Sequence, residues 1–146
     1  MKKIFLFLTI AAGSIICVPA SAQLRVNVNI GNQPAWGPVG YDHVDYYYLP
    51  DIETYYYVPT RQFVYLDNGR WIYSSSLPYR YRGYDLNRGY KVVVNQPRAY
   101  QNFPMHRAEY SRYRNYNGRQ MIIKNSNDSR YVVKDHPRYY RNRGRD

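Results

Sequence analysis

Gln62-Phe63-Val64-Tyr65-Leu66-Asp67-Asn68-Gly69-Arg70-Trp71-Ile72-Tyr73-Ser74 reads as a β-hairpin. Asn-Gly accepts the positive φ that a type I′ turn needs at both central positions, and this turn twists in the sense of the flanking strands. With Asn68 and Gly69 central, Asp67 faces Arg70, Leu66 faces Trp71, Tyr65 faces Ile72 and Val64 faces Tyr73. Leu66, Val64, Trp71 and Tyr73 then share one face, and Phe63, Tyr65 and Ile72 the other. Aromatic and β-branched partners directly opposite contribute roughly 0.2–1 kcal/mol each. The turn also predicts that Gly69→Val is more damaging than Gly40→Val in the preceding loop.

Working outward, Tyr46-Tyr47-Tyr48-Leu49-Pro50 recurs nine residues later as Tyr55-Tyr56-Tyr57-Val58-Pro59. Tyrosine favours strands and each proline stops its run, while Pro50-Asp51-Ile52-Glu53 suits the turn between them. Tyr90-Lys91-Val92-Val93-Val94 makes a closing strand. Residues 41–95 therefore read as a Tyr-rich antiparallel meander of four or five strands. Residues 23–40 hold a further alternating stretch, Leu24 to Ile30, apolar at even and polar at odd positions, then a Gly/Pro loop. A module this small is marginally stable alone. With 20 tyrosines among 146 residues, aromatic rings must supply much of its burial.

The chain starts with an export pattern. Lys2 and Lys3 precede an apolar run from Ile4 to Val18, followed by Ala20-Ser21-Ala22. That is a charged region, an apolar region and a small-residue cleavage site in order, so residues 1–22 read as a signal peptide cut after Ala22. The run is shorter than the ~20 residues a membrane span needs, and the mature chain holds no transmembrane segment. Cys17 follows Ile15 and Ile16, a poor lipoprotein context, and is the chain's single cysteine. The mature protein is expected in the periplasm, outside the cell or at its surface, without disulfides, thiol catalysis or cysteine-ligated zinc.

Charge divides the mature chain. Residues 23–96 carry seven Lys/Arg against six Asp/Glu, whereas residues 97–146 carry twelve, ten of them arginine, against four acids, a net +8. The region 96–146 reads as a basic Arg/Tyr/Asn-rich tail. Within it, Met105 to Tyr110 after Pro104 reads as a short helix capped near Asn102, extending no further than Asn117-Gly118. Met121–Ile123 and Tyr131–Val133 read as a fringe hairpin, and residues 137–146 as disordered. The fold class is mainly β: a small antiparallel meander followed by a largely irregular or disordered basic tail.

The succession Tyr46 to Glu53, Tyr65-Leu66-Asp67-Asn68-Gly69-Arg70-Trp71-Ile72 and Leu77-Pro78 resembles a group of small exported proteins of Gram-negative bacteria. They share Tyr-rich strands, a Gly-Arg-Trp turn and an Arg/Asn-rich tail. The resemblance spans roughly residues 24–95, implies a short all-β envelope module and lends no activity.

Catalytic chemistry finds no support in the sequence. His43, His106 and His136 are too dispersed for a local zinc pattern, and His43 between Asp42 and Asp45 reads as a polar loop. Asp51 and Glu53 lie at a hairpin tip, where solvated acids are the ordinary finding. Ser74-Ser75-Ser76 lacks a nucleophile elbow, and Asn127-Asp128-Ser129 is a sequon too short to weigh. No enzyme, metal or cofactor is expected.

Two non-enzymatic readings remain. In one, Arg107, Arg112, Arg114, Arg119, Arg138, Arg141, Arg143 and Arg145, interleaved with tyrosines, engage anionic polymers such as lipopolysaccharide phosphates or nucleic acid. In the other, Tyr46, Tyr48, Tyr55, Tyr57, Tyr65, Trp71 and Tyr73 form a sheet surface for envelope proteins, and the tail only solubilises.

Overall fold

The computed structural model describes residues 28–116 and 118–132. Asn68 and Gly69 take φ of 47° and 75°, and β3 (Gln62–Asp67) pairs with β4 (Arg70–Ser74) from Asp67↔Arg70 to Phe63↔Ser74. The hairpin thus forms in the register its turn dictates. The tyrosine repeat folds as β1 (Tyr46–Leu49) and β2 (Thr54–Tyr57), paired in turn with each other and with β3. A short β5 (Val92–Val94) returns to lie antiparallel to β1, giving the order β4-β3-β2-β1-β5. Four strands form the meander and the fifth closes the opposite edge.

Both faces of this sheet are covered, which explains how so few aliphatic residues suffice. Successive residues of a strand point to opposite sides, so the tyrosine triplets divide. Tyr47, Leu49, Tyr56 and Phe63 pack on one side with Val44, Ile52 and Val58. The connection from β4 to β5 crosses this side, contributing Leu77, Tyr81, Tyr84 and Leu86. Trp36 from the Gly/Pro loop stands edge-on to Tyr47 and Tyr56, with centroids 5.5 and 4.8 Å apart. Tyr46, Tyr48, Tyr55 and Val64 pack on the other side with Val94 and Ala99. There the cover is the helix α1 (Phe103–Glu109) and the turn preceding it, through Tyr100, Phe103 and Tyr110. Edge-to-face pairs of this kind contribute about 0.5–1.5 kcal/mol beyond area burial.

The segment after β5 is largely irregular, as expected, and it is also packed. Ala99, His106, Ile122, Ile123 and Tyr131 are all buried. The helix begins at Phe103, with Pro104 in its first turn, and ends at Glu109, well before Asn117-Gly118. The Ser111 hydroxyl donates to the Ala108 carbonyl, a side-chain bond that competes with continuation of the ladder.

The fringe hairpin does not form. Ile122 bridges Pro38 instead, while the Ile123 and Lys124 amides donate to the carbonyls of Gly37 and Ala35. The Gly/Pro loop carries unpaired main-chain groups, and this segment satisfies them; Val133 lies outside the described residues. Tyr131 turns inward, and its hydroxyl accepts from the Gly40 and Tyr41 amides.

Of the expected strand Leu24 to Ile30, residues 24–27 lie outside the described residues. Its end is a 3-10 turn, Ile30–Asn32, with Val28 57% exposed. Asn29 pairs through its main chain with Asp42 and also through its side chain. Its amide donates to the Val44 carbonyl and accepts from the Val44 N–H. The expected signal peptide and the expected disordered end likewise lie outside the described residues.

Candidate polyanion-binding surface

The connection from β4 to β5 and the segment following α1 meet beside the sheet, and their junction is a cleft of about 770 Å³. Asn87 and Arg88 line one side; Tyr116, Arg119, Gln120 and Asn125 line the other. Gln120 also fastens the two segments together. Its amide accepts from the Lys91 N–H at 3.0 Å and donates to the Lys91 carbonyl at 2.9 Å. Tyr116, 45% exposed, belongs to a ring cluster that continues the surface away from the cleft. Tyr90 stacks on Tyr113 with centroids 4.4 Å apart and planes 10° from parallel. Tyr116 stands edge-on to Tyr90 and Tyr113, and the Arg112 guanidinium lies over the Tyr113 ring at 4.9 Å. Arg88, Arg119 and Arg112 are thereby interleaved with three tyrosines in space.

The sequence-predicted arginines separate into two groups. Arg107 and Arg114 converge on Glu53. Glu53 sits at the β1–β2 turn with φ of 49°, and its neighbour Asp51 accepts from the Asn115 amide and the Tyr84 hydroxyl. These two acids are therefore anchors for the covering segments, and the expectation that they are merely solvated is corrected. Arg112 and Arg119, by contrast, have no carboxylate partner among the described residues. Arg88, in the nearly neutral half of the chain, also makes no ion pair among the described residues, although its charge helps to hold Asp85 ionised. The acid next to it, Asp85, is held below the ordinary carboxylate range chiefly by bonds from the Asn87 main chain and side chain. Arg138, Arg141, Arg143 and Arg145 lie outside the described residues.

The proposed tyrosine surface is placed differently. Tyr46, Tyr48 and Tyr55 are buried under α1, while Tyr57, Tyr65 and Trp71 are half-buried. Tyr73 is exposed at 45%. Burial pushes the phenols of Tyr46 and Tyr48 up to about 12 and those of Tyr47 and Tyr55 further still. These hydroxyls stay protonated at any physiological pH. Beneath α1, the Tyr48 hydroxyl and His106 Nε2 are buried without a hydrogen-bond partner among the described residues. Burial lowers the His106 pKa, keeping the ring neutral near pH 7.

His43 bonds Asp45 at 3.0 Å, and Asp42 accepts from Arg130. Among the described residues no cluster of three His, Cys, Asp or Glu is placed to hold a metal, and no helix is long and apolar enough to cross a membrane. Comparison with profiles of known families, with curated proteins and with solved structures finds no match.

Proposed function

We propose that the protein is an exported, non-enzymatic binding module of the cell envelope that holds phosphate-bearing polymers. The site is the Arg88–Arg119 cleft together with the Tyr90–Tyr113–Tyr116 cluster. One observation carries this reading: Arg88, Arg119 and Arg112 flank the same tyrosine cluster and make no ion pair among the described residues, whereas Arg107 and Arg114 bond Glu53 and Arg130 bonds Asp42 and Asp128. Guanidinium forks match phosphate oxygens bidentately, and adjacent rings offer stacking to bases or sugars without selecting sequence. Further positive charge from the last residues adds long-range attraction.

Titration of the mature protein into a fluorescent single-stranded oligonucleotide and into lipopolysaccharide, at several salt concentrations, tests the reading. Affinity that falls steeply with salt supports it. Absence of binding to either polymer at low salt overturns it. The alternative, a protein-contact surface on the tyrosine sheet, finds less support, because Tyr46, Tyr48 and Tyr55 are buried and Tyr65 lies on the opposite face from Trp71 and Tyr73.

A further inference from the structure

The two edges of the sheet are treated differently by the chain. Next to β5, the Gln120 side chain occupies both the N–H and the C=O of Lys91, standing in for a neighbouring strand. Among the described residues, β4 has no equivalent. It ends the sheet, and its register against β3 is unbroken over five residue pairs. Among the devices that protect exposed edges, lysine, proline, a bulge and a covering loop are common. Arg70-Trp71-Ile72-Tyr73-Ser74 has none of the first three, and no described residue outside the sheet hydrogen-bonds to the main chain of Trp71 or Tyr73.

Hydrogen-bond parity decides what this edge can receive. In a two-residue hairpin the flanking pair, here Asp67 and Arg70, exchanges both main-chain bonds, and such pairs then alternate along the ladder. Arg70, Ile72 and Ser74 therefore bond to β3, leaving the N–H and C=O of Trp71 and Tyr73 pointing outward. Beyond β2, the Val58 N–H donates across to the Asp45 carbonyl, as the same parity requires at the other end of the meander.

We propose that β4 pairs with β4 of a second copy, joining two five-stranded sheets about a two-fold axis at Ile72. Antiparallel pairing centred there puts Trp71 of one copy opposite Tyr73 of the other, twice. Both are hydrogen-bonded pairs, so each outward group finds a partner. Ile72 meets Ile72 across the axis as a non-hydrogen-bonded pair, in which side chains come closest. Arg70 falls opposite Ser74, so the strand's one charge avoids its own copy. On the α1 side, Trp71 and Tyr73 carry their rings beside Tyr100, which contacts Tyr73 at 5.8 Å. Pairing covers the exposed Tyr73 and extends this ring cluster across the axis. About this axis the strand's outward hydrogen-bonding groups match one another and its one charge meets no like charge, and that selects a second copy over an unrelated segment. Salt screens the repulsion between two basic molecules, so association strengthens with salt, opposite to polymer binding.

Sedimentation equilibrium of the mature chain and hydrogen exchange of its amides test the proposal. The mass should approach that of a dimer on concentration. The Trp71 and Tyr73 amides should become protected only then, while Ile72 is protected throughout. Tyr73→Pro removes an outward N–H and no β3 bond, so it should keep the fold and weaken association by at least about tenfold. A chain that stays monomeric at high concentration, or Trp71 and Tyr73 amides indifferent to concentration, overturns the proposal. So does a folded Tyr73→Pro variant that associates as well as the parent. If that variant fails to fold, the exchange measurement on the parent chain decides alone.

Discussion

The Tyr55 hydroxyl lies 2.8 Å from Nδ1 of His106, joining the second strand of the sheet to the inner face of the helix that covers it. A residue of the tyrosine repeat and a histidine of the basic region, distant in sequence, form one buried polar contact. The contrast with Tyr48 is informative, since its hydroxyl is equally buried but has no partner among the described residues. A hydrogen bond contributes about 0.5–1.5 kcal/mol, and a buried unsatisfied group costs about 1–3 kcal/mol. Tyr55→Phe should therefore destabilise by about 1–2 kcal/mol, because it also strands the imidazole nitrogen. Tyr48→Phe should be neutral or stabilising. Urea denaturation of the two variants, followed by circular dichroism, checks the difference in sign.

Stability should pass through a maximum in mild alkali. Lys91 is 2% exposed, and burial pushes its amine down to about 8 from 10.5. A depressed lysine makes the charged form costly in the fold, so stability rises as pH climbs from about 8 toward 10.5. The tyrosines act in the opposite sense. Tyr46 and Tyr48 are raised to about 12 from 10.0, so their contribution is complete below pH 10 and is lost as the unfolded phenols ionise above it. Lys91→Met should abolish the rising limb and leave the falling one. Tyrosinate absorbance in the folded state should develop for the exposed phenols first, with the rest appearing only as circular dichroism is lost.

Two glycines should respond alike to a β-branched replacement. Gly69 has φ of 75° in the hairpin turn, and Gly40 has φ of 100° while its amide donates to Tyr131. Valine resists positive φ at either site. Gly40→Val should match Gly69→Val in damage, each by about 1–3 kcal/mol. This corrects the expectation that the loop position is the more tolerant one. Thermal unfolding of the two variants side by side checks it.

The hairpin was legible because its turn dipeptide fixes both the φ angles and the pairing, so every partner from Asp67↔Arg70 to Val64↔Tyr73 followed from two residues. The repeat was legible as strands for a similar local reason. What remained hidden was the second layer over each face. The inward residues of α1 and its C-cap are Phe103, His106 and Tyr110, at spacings of three and four, but a histidine in that stripe reads as polar and breaks the apolar period. The tail consequently looked solvated, and Tyr46, Tyr48 and Tyr55 looked like free surface. Arg88 escaped notice because only the fold brings residues 87–88 beside Tyr116 and residues 118–125. A chain truncated at Gln96 would strip the cover from buried tyrosines, so loss of binding on truncation could not be assigned to charge.

Binding by site and binding by bulk charge are separated most directly by two triple variants of equal charge. Arg88, Arg112 and Arg119 are replaced by glutamine in one, and Arg107, Arg114 and Arg130 in the other. The measurement is the salt dependence of affinity for a single-stranded oligonucleotide. If the cleft and ring cluster are the site, the first variant should lose at least about tenfold in affinity, and its log–log salt slope should shrink by about 2. The second variant should retain nearly parental values. Equal losses in both variants would contradict the account, and would mean that the protein attracts polymers by net charge alone.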